Sequence, residues 1–164
     1  MEHNNEMNHD SMQKGSYTKF VVMLGASFMT MYITMYLNTY KFDHVYFSLT
    51  RFYMSCLGIA TMAIIMFIAM RNMYQNKKKN IAIVVGSIAL FASALGLVRT
   101  QAPIIDDVLW MKAMIPHHSI AILTSSRADI QDPEVKKLAD DIIIAQKREI
   151  EEMKAMIKRL ENEK

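Results

Sequence analysis

Residues 52–70 read FYMSCLGIATMAIIMFIAM, a run without a charged side chain that lies between Arg51 and Arg71. A bilayer core of roughly 30 Å takes about 20 helical residues, so this stretch predicts a membrane-spanning helix. Two more runs have the same character: Phe20–Tyr40 between Lys19 and Lys41, and Ile81–Val98 between Lys79 and Arg99. The third is slightly short, and Asn80 and the stem of Arg99 extend it by snorkelling. Tyr40, Phe42, Tyr46, Phe47, Phe52 and Tyr53 cluster around one inter-span loop, where an interfacial aromatic belt belongs. The expected anchor is therefore three spans, at about 20–40, 52–70 and 81–98, within residues 19–99. The first run is too long for a signal peptide and lacks a small-residue cleavage site.

The rest of the chain has another composition. Residues 1–98 hold eight of the nineteen Lys/Arg and four of the sixteen Asp/Glu, and the remaining third holds the rest. An apolar part followed by a charged, periodic part reads as an anchor followed by a small module. The formal net charge of +3 is small and dispersed, which argues against nucleic acid as a partner. A single cysteine, Cys56, excludes an internal disulfide framework. Arg71, Lys77, Lys78 and Lys79 mark the loop after the second run as cytoplasmic, and Lys14 and Lys19 put the N-terminus on that side. Three spans then place the C-terminal module outside the cytoplasm.

Sixteen methionines need an account. Met62, Met66, Met70 and Met73 follow one helical face, and Met31 and Met35 lie one turn apart. Thioethers along a helix could carry a soft metal, but flexible apolar filling is the simpler reading. The tail, residues 1–18, is expected to be unstructured. It carries His3, Met7, His9 and Met12, a weak soft-metal tract.

Beyond Pro103 the period becomes helical, and an antiparallel hairpin is expected over 104–162. Ile104, Val108, Met111, Ile115, His118, Ile122 and Ser125 recur at spacings of four and three. Asp106 and Asp107 suit a helix N-terminus. Asp132 and Pro133 predict the start of a second helix, with an apolar face at Val135, Leu138, Ile142, Ala145, Met153, Met156 and Leu160. The short connection makes the helices antiparallel neighbours, and Pro116 should kink the first. Folding about 130–131 brings Met114 near position 147 and Met111 near position 150. Met111, Met114, His117, His118, Gln146, Glu149 and Met153 then share one neighbourhood. Imidazole and thioether together suit Cu(I), and Ag(I) by analogy. The alternative is a histidine bonded to Glu149 across the hairpin, with methionines that only pack.

Two strings carry a resemblance. Asp107-Val-Leu-Trp110-Met-Lys-Ala-Met114-Ile-Pro116-His117-His118-Ser-Ile-Ala121-Ile122 and Ile143-Ile-Ala-Gln146-Lys-Arg-Glu149-Ile150-Glu-Glu-Met153 resemble the signature of the bacterial domain of unknown function 305 family. The resemblance implies a ferritin-like helical bundle, exported or membrane-anchored, associated in some members with copper binding and tolerance. It implies Asp107, Met114, His117, His118, Gln146, Glu149 and Met153 as signature positions. Where the family often has Met one turn beyond the histidines, this chain has Thr124. One hairpin is half of a four-helix bundle, and its core is thin, so pairing of two chains into a homodimer is expected.

The fold expected from all of this is all-α: three transmembrane helices and a two-helix hairpin. The metal candidates are His117, His118, Met114, Met111, Glu149 and Met153, with Asp107, Gln146, Trp110 and Pro116 supporting them. The expected function is a membrane-anchored, non-enzymatic copper-binding protein of a bacterial inner (plasma) membrane, with its hairpin extracytoplasmic and no organic cofactor. Its expected partners are the lipid bilayer, a second copy and a metal transporter. The alternative is a non-catalytic scaffold whose hairpin self-associates or docks to a transporter and whose histidines are structural. A di-iron enzyme is disfavoured, because such centres use Glu-x-x-His pairs and neither hairpin histidine stands three residues after a Glu. His-Glu-x-x-His, phosphate-binding glycine loops and Gly-x-Ser-x-Gly are also absent.

Overall fold

The computed structural model describes the backbone of residues 2–101 and 104–163, and the side chains among these from residue 15 onward. Five α-helices follow in order: α1 (Glu2–Thr34), α2 (Leu49–Ala69), α3 (Lys77–Thr100), α4 (Asp107–Arg127) and α5 (Pro133–Asn162). No strand occurs among the described residues, as the all-α expectation requires. The side chains of the tail candidates His3, Met7, His9 and Met12 lie outside the described residues; the backbone there belongs to α1.

Among the described residues two helices, α2 and α3, are long and apolar enough to cross a membrane, where the sequence predicts three. The difference lies in α1. Its helix ends at Thr34, and Met35–Tyr40 turns instead, with Tyr36 N–H donating to the Ile33 carbonyl and Leu37 N–H to that of Thr34. Only Phe20–Thr34 of the first apolar run is therefore helical, and Ser27, Thr30, Tyr32 and Thr34 dilute it. Ile65 and Ile68 of α2, and Ile81, Val85 and Ile88 of α3, are more than half exposed. Soluble helices rarely present such rows to water.

One compact unit comprises residues 1–32 and 52–100. Tyr17, Phe20, Ala63 and Tyr74 form its buried cluster, with Met66 and Met70 packed against them. Of the expected methionine row, Met66 and Met70 thus fill space between helices, while Met62 and Met73 stay exposed. Tyr17 also donates to Asn80 Oδ1 at 2.7 Å, which holds α1 beside the start of α3. At Gly58 a Cβ would lie 2.9 Å from the Met31 thioether, so the flexible end of Met31 packs directly on the α2 backbone there.

The second unit joins residues 33–51 to residues 101–164. Asp106 caps α4 by accepting from Leu109 N–H at 2.8 Å, and Asp132 caps α5 by accepting from Glu134 and Val135 N–H. Both are short acceptors at N-caps, where four N–H groups lack helical partners. The α4 stripe is as expected: Met111, Ile115 and Ile122 are buried and Val108 partly so. The α5 stripe differs. Ala139, Ile150, Met153 and Ile157 are buried, while Val135, Leu138 and Met156 are about half exposed. Both α5 faces are apolar, so spacing alone cannot tell which one meets α4. The face from Ala139 through Ile157 keeps the four–three alternation across the whole contact and wins.

Candidate functional site

The cross-hairpin register is set by two contacts. Lys112 Nζ lies 2.6 Å from Glu161 Oε1, and His118 Nε2 lies 2.8 Å from Glu149 Oε2. Each partner lies further along α5 than folding about 130–131 would reach. His118 Nδ1 also lies 3.0 Å from the Met114 carbonyl. The sequence gathered both histidines and Glu149 into one neighbourhood and left open which histidine bonds Glu149; in the structure it is His118.

The rest of the expected ligand set divides three ways. Met111 and Met153 are buried in the apolar cluster with Ile115, Ile122, Ile150 and Ile157. Met114 and His117 line a separate cleft of about 230 Å³ with Trp110, Ala113 and Ile120 of α4, and Ser48, Thr50, Arg51, Gln101 and Ile105 opposite. His118 of α4 and Glu149 of α5 meet each other across the hairpin. Adjacent helical residues point about 100° apart, and Pro116, buried inside a continuous α4, does not bring the two rings together. Their centroids are 6.1 Å apart at 63°. Among the described residues no three of His, Cys, Asp and Glu gather as a metal site. Asp107 is exposed in the first turn of α4, and Gln146 is half-buried.

Residues that sequence reasoning passed over complete this unit. The segment between α1 and α2 forms a strap over the hairpin. Tyr40 N–H donates to Ser119 Oγ at 2.7 Å, and His44 Nδ1 lies 2.9 Å from the same oxygen. Lys154 Nζ bonds Asp43 Oδ2 at 2.7 Å, and Tyr46 packs on the hairpin's apolar cluster. Ser119 is fully buried and His44 nearly so. The available signal was His44 itself, a histidine in a short aromatic loop. Its partner, distant in sequence, left no trace in any local period.

Charge around the strap follows from this packing. The Lys154 hydrogen bond holds the Asp43 carboxyl below the usual carboxylate range. Burial holds His44 below the ordinary histidine value of 6.5; Lys154 and Lys41 act in the same sense, while Asp43 and Glu151 oppose them. The folded chain therefore favours neutral His44, and on acidification the unfolded chain takes the proton first. Stability from this contact is complete above about 6.5 and declines as pH falls through the lowered folded value. The protection factor of the Tyr40 amide, its exchange corrected for the intrinsic pH dependence, should fall below about pH 6.5 in the native chain. In His44→Gln it should stay level with pH; an unchanged fall in the variant would remove His44 as the cause.

Three comparisons bear on identity. Residues 100–164 match the model of a domain of unknown function (DUF305). An uncharacterized protein of Acanthamoeba polyphaga mimivirus is 36% identical over 140 residues, covering 84% of this chain and 90% of that protein. No solved structure matches. The likeness to the mimivirus protein runs through most of both chains, well beyond the hairpin. The chain therefore belongs to the family of that uncharacterized protein, and its hairpin carries the domain of unknown function that the Met-Ile-Pro-His-His string resembles.

Proposed function

We propose that this chain is a membrane-anchored binding protein for a soft monovalent metal ion, copper(I) foremost, and that it is not an enzyme. The observation that carries this reading is the wall of the α4 cleft. Met114 and His117 stand three residues apart on one helical face, with Trp110 one turn before. Residues at that spacing have Cβ atoms about 5–6 Å apart, close enough for a thioether and an imidazole to share one ion. Soft thioether and borderline imidazole select Cu(I) over hard cations. Arg51 lines the same cleft, and it repels a monovalent ion half as strongly as a divalent one. Arg71 and Lys77–Lys79 mark the loop joining α2 to α3 as cytoplasmic, which puts the strap and hairpin on the opposite side.

The test is Cu(I) competition against a chromogenic chelator, using the full chain in detergent. Outer-shell changes at metal sites cost about 10–100-fold in affinity, and loss of two ligands should cost at least as much. Met114→Leu/His117→Ala should therefore bind more than about tenfold more weakly with its helical content unchanged. His118→Ala should keep its affinity within a few-fold, because His118 is committed to Glu149. Full affinity in the double variant would sink the reading.

A second reading, a scaffold with structural histidines, is favoured by the His118–Glu149 pair and by the outer face of α5. Leu138 and Met156, a whole number of helical turns apart, are both about half exposed there. Such a face fits a homodimer that completes a four-helix bundle, or docking to a metal transporter.

A further inference from the structure

We infer that the cleft bearing Trp110 and His117 also seats the phosphate of an anionic phospholipid, held by Arg51. This rests on the membrane reading of α2 and α3, and it is independent of metal binding.

The lining divides by chemistry. Ser48, Thr50, Arg51 and Gln101 supply hydroxyls, an amide and a guanidinium on one side, while Trp110, Met114, Ile105 and Ile120 supply apolar wall. Among the described residues no Asp or Glu lines it. A cleft with one fixed cation and no carboxylate favours an anion. Arg51 is held in place: its Nη1 donates to the Met35 carbonyl, and its guanidinium stacks 4.4 Å from the centre of the Tyr36 ring. A guanidinium so braced is pre-organised for phosphate oxygens.

Connectivity selects the source of the phosphate. Thr50 and Arg51 open the first of the two candidate spans, after Ser48, whose hydroxyl accepts from Arg51 N–H. Gln101 directly follows the last residue of the other span. The polar lining is thus built from chain that enters and leaves the hydrocarbon layer, at the level where lipid phosphates lie. At about 230 Å³ the cleft is below the usual range for drug-sized ligands, which suits a headgroup whose acyl chains stay outside.

The experiment uses the full chain in nanodiscs of mixed phosphatidylglycerol and phosphatidylcholine, with retained lipid counted by native mass spectrometry. The wild-type chain should retain phosphatidylglycerol over phosphatidylcholine. Arg51→Gln and Thr50→Glu should each reduce that preference about tenfold, and Arg51→Lys should keep most of it. Thr50→Glu leaves Arg51 and its bracing contacts in place, so its loss cannot come from a misplaced strap. Equal retention of both lipids, or unchanged preference in Arg51→Gln and Thr50→Glu, overturns the assignment. Displacement of the lipid by millimolar inorganic phosphate would make the ligand a soluble anion and overturn the lipid source. Failure to incorporate into nanodiscs would overturn the membrane reading itself, and with it this one.

Discussion

Ile150→Ala should unfold the hairpin under conditions where Leu138→Ala leaves it intact. Ile150 is 1% exposed and belongs to a buried cluster with Met111, Ile115, Ile122, Met153 and Ile157. Truncating a buried Ile costs about 2–5 kcal/mol, the transfer term plus the cavity left behind. A domain's whole stability is only about 5–15 kcal/mol, and two helices around one row of residues sit at the weak end. Leu138 is 59% exposed, about 120° round α5 from Ile150, where truncation should cost within about 0.5 kcal/mol. Chemical denaturation of the full chain in detergent, followed by exchange of α4 and α5 amides, separates the two. Equal losses at both positions would mean that the Leu138 face is covered in solution, which is the outcome expected if two copies pair there.

Ser119→Ala is expected to release the strap while leaving the hairpin folded. The Ser119 hydroxyl accepts from Tyr40 N–H and faces His44 Nδ1, and it is completely buried. Its removal leaves the part-buried Tyr40 N–H and the buried His44 ring nitrogen without this partner, the latter at about 1–3 kcal/mol. The strap escapes that cost by lifting into water, where both groups find partners. Amides across residues 40–46 should then lose most of their protection, while the α4 and α5 amides keep theirs. Retained protection at Tyr40 would show that Tyr46 and the Lys154–Asp43 bond hold the strap without Ser119. Ser119 directly follows the His117–His118 pair, so Cu(I) affinity measured in the same variant also reports whether the strap supports the cleft.

The elements with a period or a cap were legible from residues alone. Asp106, Asp132 and Pro133 mark helix starts because a short acceptor and a ring with fixed φ act within a few residues of themselves. The uncharged runs of α2 and α3 were legible for a similar reason, since burying charge in hydrocarbon is costly wherever it occurs. The first run misled because freedom from charge does not make a helix continuous: its last residues turn away after Thr34. On α5 the sequence offered two apolar faces, and only packing against α4 chose between them.

By itself, the sequence determined an all-helical chain, the apolar runs that form α2 and α3, and a capped hairpin, all set by local spacing, while its third expected span is not given by the structure. Only the tertiary structure decided that Met111 and Met153 are core, that Met114 and His117 line a cleft apart from His118, and that His44 reaches Ser119. Each of these depends on how one helix is rotated against another, or on chain distant in sequence. A rotation of one residue, about 100°, exchanges a buried side for an exposed one without altering a single local preference.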